Sequence, residues 1–270
     1  MNNTSLRLIA AFLMLTLGAC LNGTSPSPSS NSPEEVQDDR VEDLFSGEVT
    51  EIVIEVDYQP GAEPYTGDVR GQDVWNLFRV NAEALFSESE KTFVVPSTLD
   101  EMEELTDING EDFTIDDIMS IAAAHDDSAD TDTTRTFYFL FLDGYYFQDG
   151  ERQSSVLGVS ITGTSVIAMF KPVIESTSLP ALQFVAKYVE QSTLVHEFGH
   201  AVGLVNNGLD MVQNHNDGEH GAHCDNDQCV MYWLNEGASD MASFVQQIVT
   251  TGDAVIFDEN CLNDAAAGLH

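Results

Sequence analysis

Over residues 48–58 apolar and polar side chains alternate, the period of a strand with one buried face, and Pro60-Gly61 ends it. Over 74–86 the apolar positions Val74, Leu77, Phe78, Val80, Ala84 and Leu85 fall at helical spacing and predict an amphipathic helix. Residues 91–95 predict a short strand stopped by Pro96, 100–112 a loop or short helix, and 115–124 a second short helix before an acidic loop at 126–132. Residues 135–142 are apolar and aromatic enough for a buried central strand, and Gly144 turns the chain. Two more strands, 155–161 and 165–170, flank a Thr-Gly-Thr turn. A long helix over 182–204 closes at Gly203, residues 205–230 are irregular, a last helix covers about 238–250, and the tail is weakly structured. This order predicts an α+β fold with a mixed sheet. A first lobe would span 47–204 and a small loop-rich second lobe 205–270.

The long helix contains His196-Glu197-Phe198-Gly199-His200, with Gly203 three residues further on. On a helix His196 and His200 stand one turn apart on one face, so both imidazoles can reach one zinc ion, and Glu197 lies beside them to handle the proton of a zinc-activated water. Five of the chain's 7 histidines (His196, His200, His215, His220, His223) fall in or just after this segment. Scattered core or surface histidines would not cluster so.

The N-terminus changes the picture of location. Arg7 precedes an apolar run from Leu8 to Ala19 that is too short to span a bilayer and fits the core of an export signal, residues 1–19. Leu17-Gly18-Ala19-Cys20 resembles a bacterial lipobox, which implies cleavage before Cys20 and its lipidation. Asn22, where an Asp would signal inner-membrane retention, implies an outer-membrane destination, facing the periplasm or the surface. Residues 20–46 then form the anchor and a Ser/Pro/Asn-rich tether, leaving roughly 225 residues for the folded part.

Acidic residues number 46 against 9 basic ones, a formal charge of −37 spread along the chain. That excludes nucleic acid and anionic lipid surfaces as partners, because phosphate contacts need Lys and Arg. A solvated surface suited to a salty environment is the plain reading of the charge; calcium (Ca2+) ligation by Asp126, Asp127, Asp130 and Asp132 is the alternative, but no loop pattern assigns such a site. With Cys20 given to lipid, Cys224, Cys229 and Cys261 remain; an oxidising compartment allows one disulfide, most simply Cys224–Cys229.

The order of elements, with His196, Glu197, His200 and Gly203, resembles the metzincin zinc endopeptidases, whose motif is H-E-x-x-H-x-x-G-x-x-H followed by a methionine turn. Asn206 stands where the third histidine should be, and a neutral amide is a poor zinc ligand. Further on, His223-Cys224 through Cys229-Val230-Met231 is similar to the H-C-x4-C-x-M stretch of the archaemetzincins. That resemblance implies His223 as third ligand, Met231 in the Met-turn, an insertion of 17 residues before His223, one zinc per chain and a metzincin-like two-lobed fold. Archaemetzincins also carry a later C-x-x-C that helps bind a second zinc; its absence here leaves that second zinc unexpected.

His215 and His220 compete with His223 on position alone. Asn235-Glu236-Gly237-Ala238-Ser239-Asp240 resembles the N-E-x-x-S-D helix of thermolysin-like peptidases, which would make Glu236 the third ligand. Under either resemblance the expected activity is hydrolysis of a peptide or protein substrate, with Glu197 as general base. By analogy with the metzincin family, the strand 165–170 is either the partner of an extended substrate or simply part of the core. A non-catalytic metal-binding surface lipoprotein and a metal buffer are the competing classes. Glu197 argues against the first, since a binding module needs no base. A buffer would hold several weak metals in place of one tight zinc. Oligomeric state is unreadable from the sequence.

Overall fold

The central strand of the sheet shows no alternation because both of its faces are covered. Residues Thr136–Leu142 are all buried, and the strand runs from Thr134 to Leu142 between two parallel neighbours. The computed structural model describes residues 39–178, 184–251 and 254–270. The expected export signal, Cys20 and residues 20–38 of the tether lie outside the described residues, whereas its last part, Asp39–Phe45, is a helix with Val41, Leu44 and Phe45 buried. Gln37 to His270 form one compact unit, and the expected lobe boundary at 204/205 falls inside it.

In chain order the main elements begin with helix α1 (Asp39–Phe45), strand β1 (Glu51–Tyr58), α2 (Asn76–Leu85) and β2 (Thr92–Val94). Next come α3 (Ile115–His125), β3 (Thr134–Leu142), and a hairpin of β4 (Tyr145–Gln148) and β5 (Glu151–Gln153). Then follow β6 (Gly158–Ser160), β7 (Val166–Phe170), α4 (Lys171–Ser176) and α5 (Phe184–Ala201). The C-terminal part carries α6 (Ala238–Thr251) and α7 (Glu259–Gly268). The six-stranded main sheet has the order β6-β7-β3-β1-β2, with a two-residue strand at Glu103–Glu104 also on β1. Every pairing is parallel except that of β6 with β7, which is antiparallel.

Helix α5 packs against α2, α6 and strands β6 and β7. Its Phe198 meets Phe78 of α2 and Phe137 of β3 edge-on, at 5.3 and 4.9 Å between ring centres, and Phe78 meets Phe139 in the same way. Such pairs contribute about 0.5–1.5 kcal/mol each beyond their buried area. A buried ion pair ties α4 to α5: Lys171 Nζ lies 2.6 Å from Glu190 Oε2, and the backbone N–H of Tyr65 donates to Glu190 Oε1 at 2.7 Å.

Two expectations need correction. The tail is not weakly structured: Asp258 caps α7 by accepting from Cys261 N, and Cys261, Asp264 and Ala265 are buried. Strand 165–170 cannot receive a substrate strand, since β7 is flanked by β6 and β3 and fully buried. The open edge beside α5 belongs to β6. Among the acidic residues weighed for calcium, Asp130 is spent on Thr136, accepting from its N–H at 2.7 Å and its hydroxyl at 3.0 Å.

Candidate metal centre

The last two turns of α5 carry His196, Glu197 and His200 into the interior, His196 fully buried and Glu197 nearly so. Gly203, at φ +89°, ends the helix, and Val205 and Asn206 are also left-handed, so the chain reverses sharply and Asn206 is carried into the turn. The third histidine arrives instead from the long loop that follows. The rings of His196, His200 and His223 form a triangle with centre-to-centre distances of 4.8, 4.8 and 5.3 Å.

Backbone carbonyls fix two of the tautomers. His196 Nδ1 donates to Val230 O at 2.7 Å and His223 Nδ1 donates to His220 O at 2.6 Å, so both Nε2 lone pairs point inward. His196 Nε2 and His200 Nε2 stand 3.1 Å apart, close to the roughly 3.3 Å edge of a tetrahedron with ~2.0 Å Zn–N bonds. His223 Nε2 is buried without a well-formed hydrogen bond, although Glu236 Oε1 lies 3.1 Å away. Burial pushes His196 down to about 4 and His200 well below its ordinary value, helped in each by the neighbouring imidazoles. His196 and His200, held neutral by burial, and His223, which burial lowers but the Glu236 carboxylate raises, aim their ring nitrogens at one point, a donor set that fits zinc.

Glu197 faces the same cleft. Burial, and then the charge of Glu236, push its carboxyl up to about 8, while the backbone N–H of Ser160 donates to it. Glu236 sits on the rim, half exposed, and its carboxylate lies within 4.8 Å of the three imidazole nitrogens. Below the histidines, Met231 is buried against Gly199.

The other candidates lie elsewhere. His220 stacks face to face on Trp233 at 3.8 Å and holds Asp217 at 2.8 Å, away from the triangle. His215 is buried beside Cys224 and Asp264. The Cys224–Cys229 disulfide is not formed; Cys224, Cys229 and Cys261 are free, buried thiols. The turn closed by Cys229 N and Asn226 O at 3.1 Å brings both sulfurs toward Cys261 on α7, a neighbour that the sequence separation conceals.

Sequence reasoning missed Asn235. Its buried amide donates to Cys229 O at 3.1 Å and Val230 O at 3.0 Å, setting the carbonyl that orients His196. In the sequence it stands out only as the neighbour of Glu236.

Neither a protein-family profile nor a curated protein sequence matches the chain. Among solved structures it is similar to a zinc-dependent peptidase from Methanocorpusculum labreanum, with a TM-score of 0.44 and 13% identity over 78% of this chain and 99% of that one. It is also similar to an archaemetzincin from Methanopyrus kandleri, with a TM-score of 0.41 and 10% identity over 83% of this chain and 97% of that one.

Proposed function

We propose that the chain is a zinc-dependent endopeptidase, with His196, His200 and His223 holding the metal and Glu197 as general base. The observation that carries this reading is the convergence of three buried imidazole nitrogens beside a carboxyl group in one open cleft. Zinc held by three neutral imidazoles keeps its dipositive charge and supplies a Lewis acid that polarises a carbonyl and acidifies water.

The chain's own residues do the rest. Glu197, buried beside the imidazoles in the same cleft, is placed to take a proton from the attacking water and return it to the leaving amine. The Ser160 N–H aims that carboxylate. Leu157 O and Ile161 N are taken by the strand Val166–Phe170, so Gly158 and Ser160 turn their backbone groups the other way, the Ser160 N–H to Glu197 and the rest toward the cleft. An extended peptide can therefore add antiparallel to the free edge of β6, with its main chain held rather than its sequence read. Glu236 stands at the rim, half exposed, with its carboxylate within 4.8 Å of the three imidazole nitrogens.

The apolar run 8–19 and Cys20 support a lipid-anchored enzyme at the bacterial envelope, acting on peptide or protein substrates there. Among the described residues no helix is long and apolar enough to cross a membrane.

Incubation of the zinc-loaded protein with a diverse peptide mixture, read by mass spectrometry, tests the proposal. Internal cleavage that Glu197→Gln abolishes while keeping its zinc is the expected result. Equal cleavage by the variant, or none by the parent, would overturn it.

A further inference from the structure

Beyond Lys187 the chain carries 13 acidic side chains and no Lys or Arg. This stretch supplies the turns of α5 that hold His196 and His200 and the long loop after them, which together line much of the cleft. Two carboxylates, Glu197 and Glu236, face the cleft, and among the described residues no Lys or Arg does.

The loop gathers further charge around His223. The backbone N–H of Asp217 donates to His223 O at 2.7 Å, that of Glu219 donates to Asp217 Oδ1 at 3.1 Å, and Asp225 stands two residues past His223. The side chains of Glu219 and Asp225 are exposed. On the strand side, Gln148 of β4 lines the cleft and leads into the exposed turn that carries Asp149 and Glu151. The cation nearest to that turn, Arg152, donates to Asp112 Oδ2 at 3.0 Å and lies over the ring of Tyr145. Tyr145 and Tyr146 point to opposite faces of β4, and Tyr146 is the one that lines the cleft, so the charge of Arg152 is spent away from it.

Zinc at the three histidines is dipositive and offsets Glu197 and Glu236 at the centre, which leaves the acids of the loop and the hairpin uncompensated around it. We infer that the cleft selects cationic peptides, with Lys or Arg a few residues from the scissile bond rather than beside it. The inference rests on the peptidase reading and adds what that reading lacks. Main-chain pairing with the edge of β6 grips any extended sequence, so charge is left to discriminate. A cleft lined by one sign of charge concentrates solutes of the opposite sign, speeds their capture by roughly 10- to 1,000-fold, and repels those of its own sign. Acidic flanks should therefore exclude a peptide that the main chain alone would accept.

The test holds constant one peptide core that the zinc-loaded protein cuts, and places Lys, Gln or Glu three and four residues from the bond on both sides. At about 0.01 M salt kcat/KM should fall from Lys to Gln to Glu, with at least about 10-fold between the extremes. At about 1 M salt, where the screening length drops from about 30 Å to about 3 Å, the gap should shrink several-fold. Two double variants of equal charge locate the effect. Glu219→Gln with Asp225→Asn should lower the Lys-to-Glu ratio. Glu88→Gln with Glu90→Gln, exposed beside β2 at the opposite edge of the sheet from β6, should leave it unchanged. Equal rates for the three peptides at low salt, a preference that high salt leaves intact, or an equal effect of the two double variants would each overturn the inference while the peptidase reading stands. Absence of any cleavage would overturn the peptidase reading and this inference with it.

Discussion

A methyl group on Gly199 would collide with the sulfur of Met231 and press to 3.2 Å on the ring of Phe257. Gly199 stands between the two helical histidines, so the floor of the metal site is cut to fit a residue with no side chain.

Gly199→Ala should therefore lower stability by about 1–3 kcal/mol, the usual cost of overpacking, and weaken zinc binding by displacing His196 or His200. Thermal unfolding and a competitive chelator titration measure the two effects. Adding Met231→Ala should recover part of both, because it vacates the space that the new methyl needs.

Glu236→Ala discriminates between the two ligand sets. With three histidines holding zinc, the variant keeps its metal, and only rates change. If Glu236 were the third protein ligand, as in the thermolysin-like resemblance, zinc would be lost on dialysis. Metal analysis after gel filtration decides between them.

The buried pair Lys171–Glu190 should be costly to break and cheap to remove. Lys171→Met strands a carboxylate that burial already pushes upward, and should cost ~3–5 kcal/mol in denaturant unfolding. Lys171→Met with Glu190→Leu should recover most of that loss.

The sequence disclosed what is periodic. His196, Glu197 and His200 were legible because a helix repeats every 3.6 residues, and the central strand because no loop carries seven consecutive buried residues. The preference for His223 rests on the H-C-x4-C-x-M resemblance alone, since the loop that carries it has no period and position leaves His215, His220 and Glu236 in contention. Helix α7 escaped notice because its buried face is built from Cys261, Asp264 and Ala265, small or polar residues that make little apolar signal. The free edge strand was misassigned for a topological reason. Both β6 and β7 read as strands, and only long-range pairing says which one is outermost.

Asp57 supplies a pH test remote from the metal. It is 2% exposed, accepts from Tyr138 Oη at 2.7 Å, and burial pushes it from 3.8 up to about 6. A raised carboxyl favours folding in its protonated form, so its contribution is complete below about 3.8 and is lost as pH rises through about 6. Between about pH 4 and pH 7.5, Asp57→Asn should gain on the parent by on the order of 2 kcal/mol. Denaturant unfolding of both proteins at the two values measures it, and parallel curves would refute it.

The most direct test of the metal site is the zinc content of the parent and of His223→Ala, measured by element-resolved mass spectrometry on folded protein. The three-histidine site predicts one equivalent fewer in the variant. Equal zinc in the two proteins would contradict it, and would move the third ligand away from His223.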